Sequence, residues 1–135
     1  MSKQKVFSLP VRVYFQDTDA GGVVYHASYV NFMERARTEW LRTHGYSNAG
    51  LMKEFGVIFV VRTLKLDYFK PALLDDLLNV TAQIKDIGRS RLALLQSVLR
   101  GDELLTEGEI HLVCVSLEGF KPVSVPEVLR KQWKV

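Results

Sequence analysis

Two acids stand one residue apart just before a pair of glycines and a histidine, in the run Val13-Tyr14-Phe15-Gln16-Asp17-Thr18-Asp19-Ala20-Gly21-Gly22-Val23-Val24-Tyr25-His26. The run lies where a strand-like pattern hands over to a long helical one. A carboxylate beside a glycine turn that opens a helix can act on a ligand held by backbone N–H groups, because the first helical turn has unpaired donors and a partial positive charge. Gly21 and Gly22 let main chain approach such a ligand and turn sharply where a Cβ would obstruct. Metal readings of the same residues fail on spacing. Asp17-Thr18-Asp19 begins like a calcium loop, but Gly21 stands where an Asp or Asn is wanted and Ser28 where the closing Glu belongs. An Asp-x-Asp that holds a metal-nucleotide needs a nucleotide-binding α/β domain larger than this chain. His26, His44 and His111 share no metal-ligand spacing with one another or with Cys114, which argues against zinc. No Gly-x-Ser-x-Gly elbow is present, and Cys114 sits in an apolar strand pattern as a small buried hydrophobe, not a nucleophile.

The elements that must position these residues are readable from periodicity. Leu9 to Phe15 alternate as a strand, with Pro10 near its start. From Ala27 to about His44, Tyr29, Phe32, Met33, Ala36, Trp40 and Leu41 recur at helical spacing, with Glu34, Arg35, Arg37, Glu39 and Arg42 on the other side. Arg35 with Glu39 and Glu34 with Arg37 are expected surface ion pairs. Gly45 stops this helix, and 47–56 reads as a short helix or loop. Strands are expected over 57–68, 78–85, 91–100 and 104–115, the last two joined by a hairpin turn at Arg100-Gly101-Asp102-Glu103. The tail from Pro122 is weakly patterned. Strand, long helix, then four strands make an α+β fold: an antiparallel sheet of about five strands with one helix covering a face. The open edge and second face of such a sheet predict a homo-oligomer, with the site between subunits.

The 135 residues, 47% of them hydrophobic, suit one domain spanning 1–135. One cysteine forms no internal disulfide, and the start of the chain leads into no apolar run of signal-peptide length, so a cytoplasmic protein is expected. No stretch reaches the roughly 20 apolar residues needed to span a membrane. A net charge of +3 suits an anionic small molecule and falls short of the dense basic clusters of a nucleic-acid binder.

The run from Asp17 to Tyr29, followed by Glu34-Arg35-Ala36-Arg37-Thr38-Glu39, resembles the hotdog-fold acyl-CoA thioesterases of the 4-hydroxybenzoyl-CoA thioesterase family, most nearly the bacterial branch associated with the Tol-Pal envelope system. Phe59-Val60-Val61-Arg62, Leu74-Asp75-Asp76 and Cys114-Val115 extend the resemblance over nearly the whole chain. It implies a hotdog fold, a dimer or homotetramer, no metal or organic cofactor, and hydrolysis of acyl-CoA, with short to medium aliphatic acyl groups expected. The resemblance makes the second acid, Asp19, the catalytic carboxylate, as nucleophile or as general base toward water, and leaves Asp17 structural. It makes the backbone N–H of His26 the oxyanion donor. The His26 imidazole can also bind the thioester or orient water. Gly22 and Val61 fall at the substrate, and Tyr25 lines the channel or packs in the core. Arg89, Ser90 and Arg91 correspond to the stretch that meets the nucleotide end of CoA, since an arginine fork suits phosphate; a solvated hairpin is the plainer reading. Arg62 reads as a structural pair or as a phosphate contact. A non-catalytic hotdog module that binds an acyl carrier protein or envelope-linked partners is the alternative, and an acid at the helix mouth favours the enzyme.

Overall fold

A computed structural model describes residues 6–134; Val135 and residues 1–5, on which the expectation about a leader segment rests, lie outside the described residues. The first strand, β1, is Phe7–Arg12 and pairs antiparallel with β3 at the sheet's edge, where the missing N–H of Pro10 is tolerated. It starts earlier than periodicity suggests and stops short of Phe15. Asp17 is the reason: its Oδ2 accepts the Tyr14 N–H at 2.8 Å, and Phe15–Asp17 close into a 3₁₀ turn.

Helix α1, Ser28–Thr43, buries the apolar stripe read from the sequence, from Tyr29 to Leu41. Neither expected surface ion pair forms among the described residues. Arg42 pairs with Glu39 instead, and Arg37 turns under the helix to donate to Oε1 of the fully buried Gln96 at 3.0 Å. Gln96 in turn donates to the Met33 and Thr81 carbonyls, which satisfies an amide that would be costly to bury bare. Helix α2, Asn48–Phe55, is capped by the Ser47 hydroxyl, which accepts from Gly50 N–H, and ends at Gly56 in the left-handed region.

Four strands follow: β2, Val57–Tyr68; β3, Leu77–Ile87; β4, Arg91–Arg100; and β5, Glu103–Ser116. The sheet order is β1-β3-β4-β5-β2, so β2 crosses to the far edge and, among the described residues, pairs only with β5. Its register slips between Val61 and Thr63, which leaves Arg62 as a bulge. Gly108 of β5 lies where α1 crosses the sheet. A Cβ there would stand 2.5 Å from Leu66 Cδ2 of the paired strand β2 and 3.3 Å from Met33 Cε of α1, so glycine leaves room chiefly for the cross-strand Leu66 side chain. The tail, weakly patterned in sequence, forms α3, Glu127–Gln132, which with the following Trp133 buries Leu129 and the Trp133 ring in the core. This is the α+β hotdog arrangement, with the long helix packed on one face of a five-stranded antiparallel sheet.

Candidate active site

The loop between the 3₁₀ turn and α1 is a small hairpin of its own. Tyr25 N–H donates to the Asp17 carbonyl at 2.9 Å, Asp19 N–H to Val23 at 3.0 Å, and Gly22 N–H to Asp19 at 3.1 Å. A second set of bonds fastens it to the segment before β3, through Val24 N–H to Ala72 and Leu74 N–H to Gly22. Gly22 holds φ at +78°, a turn geometry that a side chain resists.

The two acids separate by environment. Asp17 is buried, its carboxylate spent on Tyr14 N–H and its carbonyl accepting from both Tyr25 N–H and the Ser28 hydroxyl. It builds the helix entrance. Asp19 is exposed; Oδ1 accepts the Gly21 N–H at 2.9 Å, and Oδ2 has no partner among the described residues. One carboxylate is consumed by structure, and the other is oriented yet open.

His26 follows on the same loop, exposed, with its ring 4.4 Å from that of Tyr25. No described residue accepts a hydrogen bond from its N–H. The peptide it belongs to is nonetheless oriented, because the Tyr25 carbonyl accepts the Ser28 N–H at 2.8 Å, and in a planar trans peptide the N–H points the opposite way. On the other side the His26 carbonyl accepts the Tyr68 hydroxyl at 2.9 Å. A recess of about 300 Å³ opens here, between His26, Tyr29, Tyr68, Phe69 and Lys70. Tyr68, read in sequence only as an apolar position of an alternating strand, therefore lines the candidate site; its place at the end of that strand, three residues before Pro71, was the available signal. Tyr25 is 47% exposed, which removes it from the core.

The remaining sequence candidates lie elsewhere in this chain. Val61, 50% exposed, stands beside the β2 bulge, about 23 Å of strand from Tyr68 at roughly 3.3 Å per residue. It lines a second, mostly apolar cleft of about 410 Å³ with Trp40, Phe59, Leu94, Trp133 and the half-buried Arg37. Burial lowers the Arg37 pKa, and nearby Glu34 opposes that. Arg89, Ser90 and Arg91 sit beyond the far end of β3, about 33 Å of strand from the loop at Asp76 that holds the Asp19 hairpin, at the same rise per residue. Arg89 Nε donates to the Ser124 hydroxyl at 2.9 Å, and Ser90 accepts Cys114 N–H through its carbonyl. Cys114 is buried and desolvation pushes its thiol up to about 11, which keeps it unreactive near neutral pH. Among the described residues no cluster of three or more His, Cys, Asp or Glu side chains forms a metal-ligand set, and no helix is long and apolar enough to cross a membrane.

One loop thus carries an exposed, oriented carboxylate and a helix-entrance amide with no acceptor among the described residues, on a hotdog scaffold. Comparison with known proteins agrees: the thioesterase-like superfamily matches residues 13–133, and the chain belongs to it. It is 46% identical to an acyl-CoA thioester hydrolase, YbgC, of Escherichia coli O6:H1 over 96% of both chains, and 44% identical to the acyl-CoA thioesterase YbgC of Haemophilus influenzae over 92% of this chain and 91% of that one. Among solved structures, a probable thioesterase from Bartonella henselae superposes with a TM-score of 0.86 at 34% identity, over 90% of this chain and all of that one.

Proposed function

We propose that this chain hydrolyses acyl-CoA thioesters to the free acid and CoA, with Asp19 attacking the thioester carbonyl or activating water and the His26 N–H receiving the oxyanion. The observation that carries the reading is the presence, on one hydrogen-bonded loop, of an Asp19 Oδ2 and a His26 N–H that have no partner among the described residues. An oxyanion donor must be fixed before charge develops, and the His26 peptide is held from both neighbours. The His26 ring, exposed beside Tyr25, is placed to meet the thioester or its attacking water. Gly22 leaves the loop room at the substrate.

The site is whole only in an oligomer. β2 pairs on one side alone and leaves a twelve-residue edge with Val61 and Leu64 exposed, a surface that invites a second strand. Antiparallel pairing of two β2 edges lays the Val57 end of one copy beside the Tyr68 end of the other. That arrangement supplies Val61 and its apolar cleft for the acyl group, and Arg89, Ser90 and Arg91 for the CoA phosphates, from the partner copy. A cleft of about 410 Å³ is at the small end of ligand pockets, which span roughly 300–1,000 Å³, and favours short to medium aliphatic chains. We read the single domain as a cytoplasmic homo-oligomer, dimer or tetramer, needing no cofactor, with acyl carrier protein as a further acyl donor and Tol-Pal association as its setting.

The test is Asp19→Asn, assayed with a panel of acyl-CoA and acyl-carrier substrates and a thiol reagent for released CoA. The variant should fold and bind CoA yet lose hydrolysis by about 100-fold or more. Unchanged turnover removes Asp19 from the mechanism. A wild type inactive across the panel replaces the enzyme with an acyl-binding module.

A further inference from the structure

The Tyr68 hydroxyl belongs to the end of β2, a different element from the loop that carries Asp19 and His26, yet it donates a hydrogen bond to the His26 carbonyl at 2.9 Å. We propose that Tyr68 is a positioning residue for the oxyanion site, locking the His26 main chain so that its free N–H keeps one direction; this rests on the thioesterase reading above.

Three observations support it. The His26 residue is gripped at both of its peptide groups: Ser28 N–H holds the Tyr25 carbonyl on the preceding side, and Tyr68 holds the His26 carbonyl on the following side. With both planes fixed, the dihedral angles between them have little freedom and the N–H cannot swing. Tyr68 is itself braced. Its ring meets Tyr29 edge to face at 5.3 Å, and the Tyr29 hydroxyl accepts the Ala72 N–H at 2.9 Å, which ties the pair to the segment that also anchors Val24. Desolvation, with Tyr29 adding to it, raises the Tyr68 pKa above its ordinary value, so the hydroxyl keeps the proton it donates. The bond also polarises the peptide that follows His26, in the direction of the helix it opens.

Tyr68→Phe removes only the hydroxyl and keeps the ring against Tyr29. It should lower kcat about tenfold, the scale of one lost oriented hydrogen bond, with KM within twofold and an unchanged melting temperature. In the ¹⁵N–¹H spectrum the His26 and Ala27 amide signals should shift or broaden while that of Ala72 stays. The proposal is overturned by an unchanged kcat, by KM and melting temperature changing along with kcat, or by unmoved His26 and Ala27 signals. The spectrum needs no turnover: a wild type inactive on every substrate sinks the thioesterase reading, and with it the catalytic role of Tyr68, while unmoved signals in an active enzyme sink the Tyr68 proposal alone.

Discussion

Gly22 shows how much of the chemistry rests on single residues with no functional group. At φ +78° its backbone occupies a region where an L side chain costs roughly 1–2 kcal/mol, although the space around it is open. Gly22→Ala should therefore lower stability by about 1 kcal/mol in denaturant unfolding, and it should lower kcat further, because Gly22 N–H donates to Asp19 and its carbonyl accepts from Leu74. Equal stability in that variant would show that the loop relaxes freely. The same scale separates Asp17 from Asp19. They are the same side chain two positions apart, and only burial and partners distinguish a carboxylate that builds the helix entrance from one left exposed.

Among the elements, the seam between β5 and β2 at Gly108 leaves the least room for an added side chain. Gly108→Ala would press a methyl against Leu66 Cδ2 and Met33 Cε, both at the ends of flexible side chains, so the cost falls near the low end of overpacking, about 1 kcal/mol by thermal unfolding. A variant as stable as wild type would mean that Leu66 and Met33 give way without penalty. Element type and order were legible in the sequence because the α1 stripe and the β3 alternation are strongly periodic. Three things were not. β1 ends early because a side chain, Asp17, captures the backbone, and period-two patterning does not register such capture. α3 is a short helix held by the burial of Leu129 and Trp133 in a core assembled from elsewhere in the chain. Arg37, polar by type, was assigned to the solvent side, yet its partner Gln96 is 59 positions away in sequence. The Asp19 loop was legible as a motif, whereas the Tyr68 bond joins residues 42 positions apart and emerges only with the fold.

For the whole molecule, the distribution of the site residues carries the argument. Asp19 and His26 lie at one end of the sheet and Arg89 to Arg91 at the other, so on the proposed reading a single copy holds two incomplete halves. Leu64→Lys, a charge placed on the exposed β2 edge, should yield a monomer in light scattering with hydrolysis reduced at least tenfold, by disfavouring strand-to-strand pairing. A fully active monomer would show that one chain suffices.

The crossing of β2 to the far edge has a kinetic consequence. Its register runs from Tyr68 opposite Thr106 to Val57 opposite Ser116, and β1 waits for Ala82 opposite Phe7. A chain emerging from the ribosome thus displays the apolar stripe of α1 long before the strands that cover it exist, and loop-closure entropy must be met before that long-range pairing rewards it. Folding should be slow for a chain of this length, with β1, whose partner strand is the more distant in sequence, the last strand to dock. The edge proposed to recruit a second copy should then form before the opposite edge closes, so that a chain still waiting for β1 already presents β2 to its neighbours.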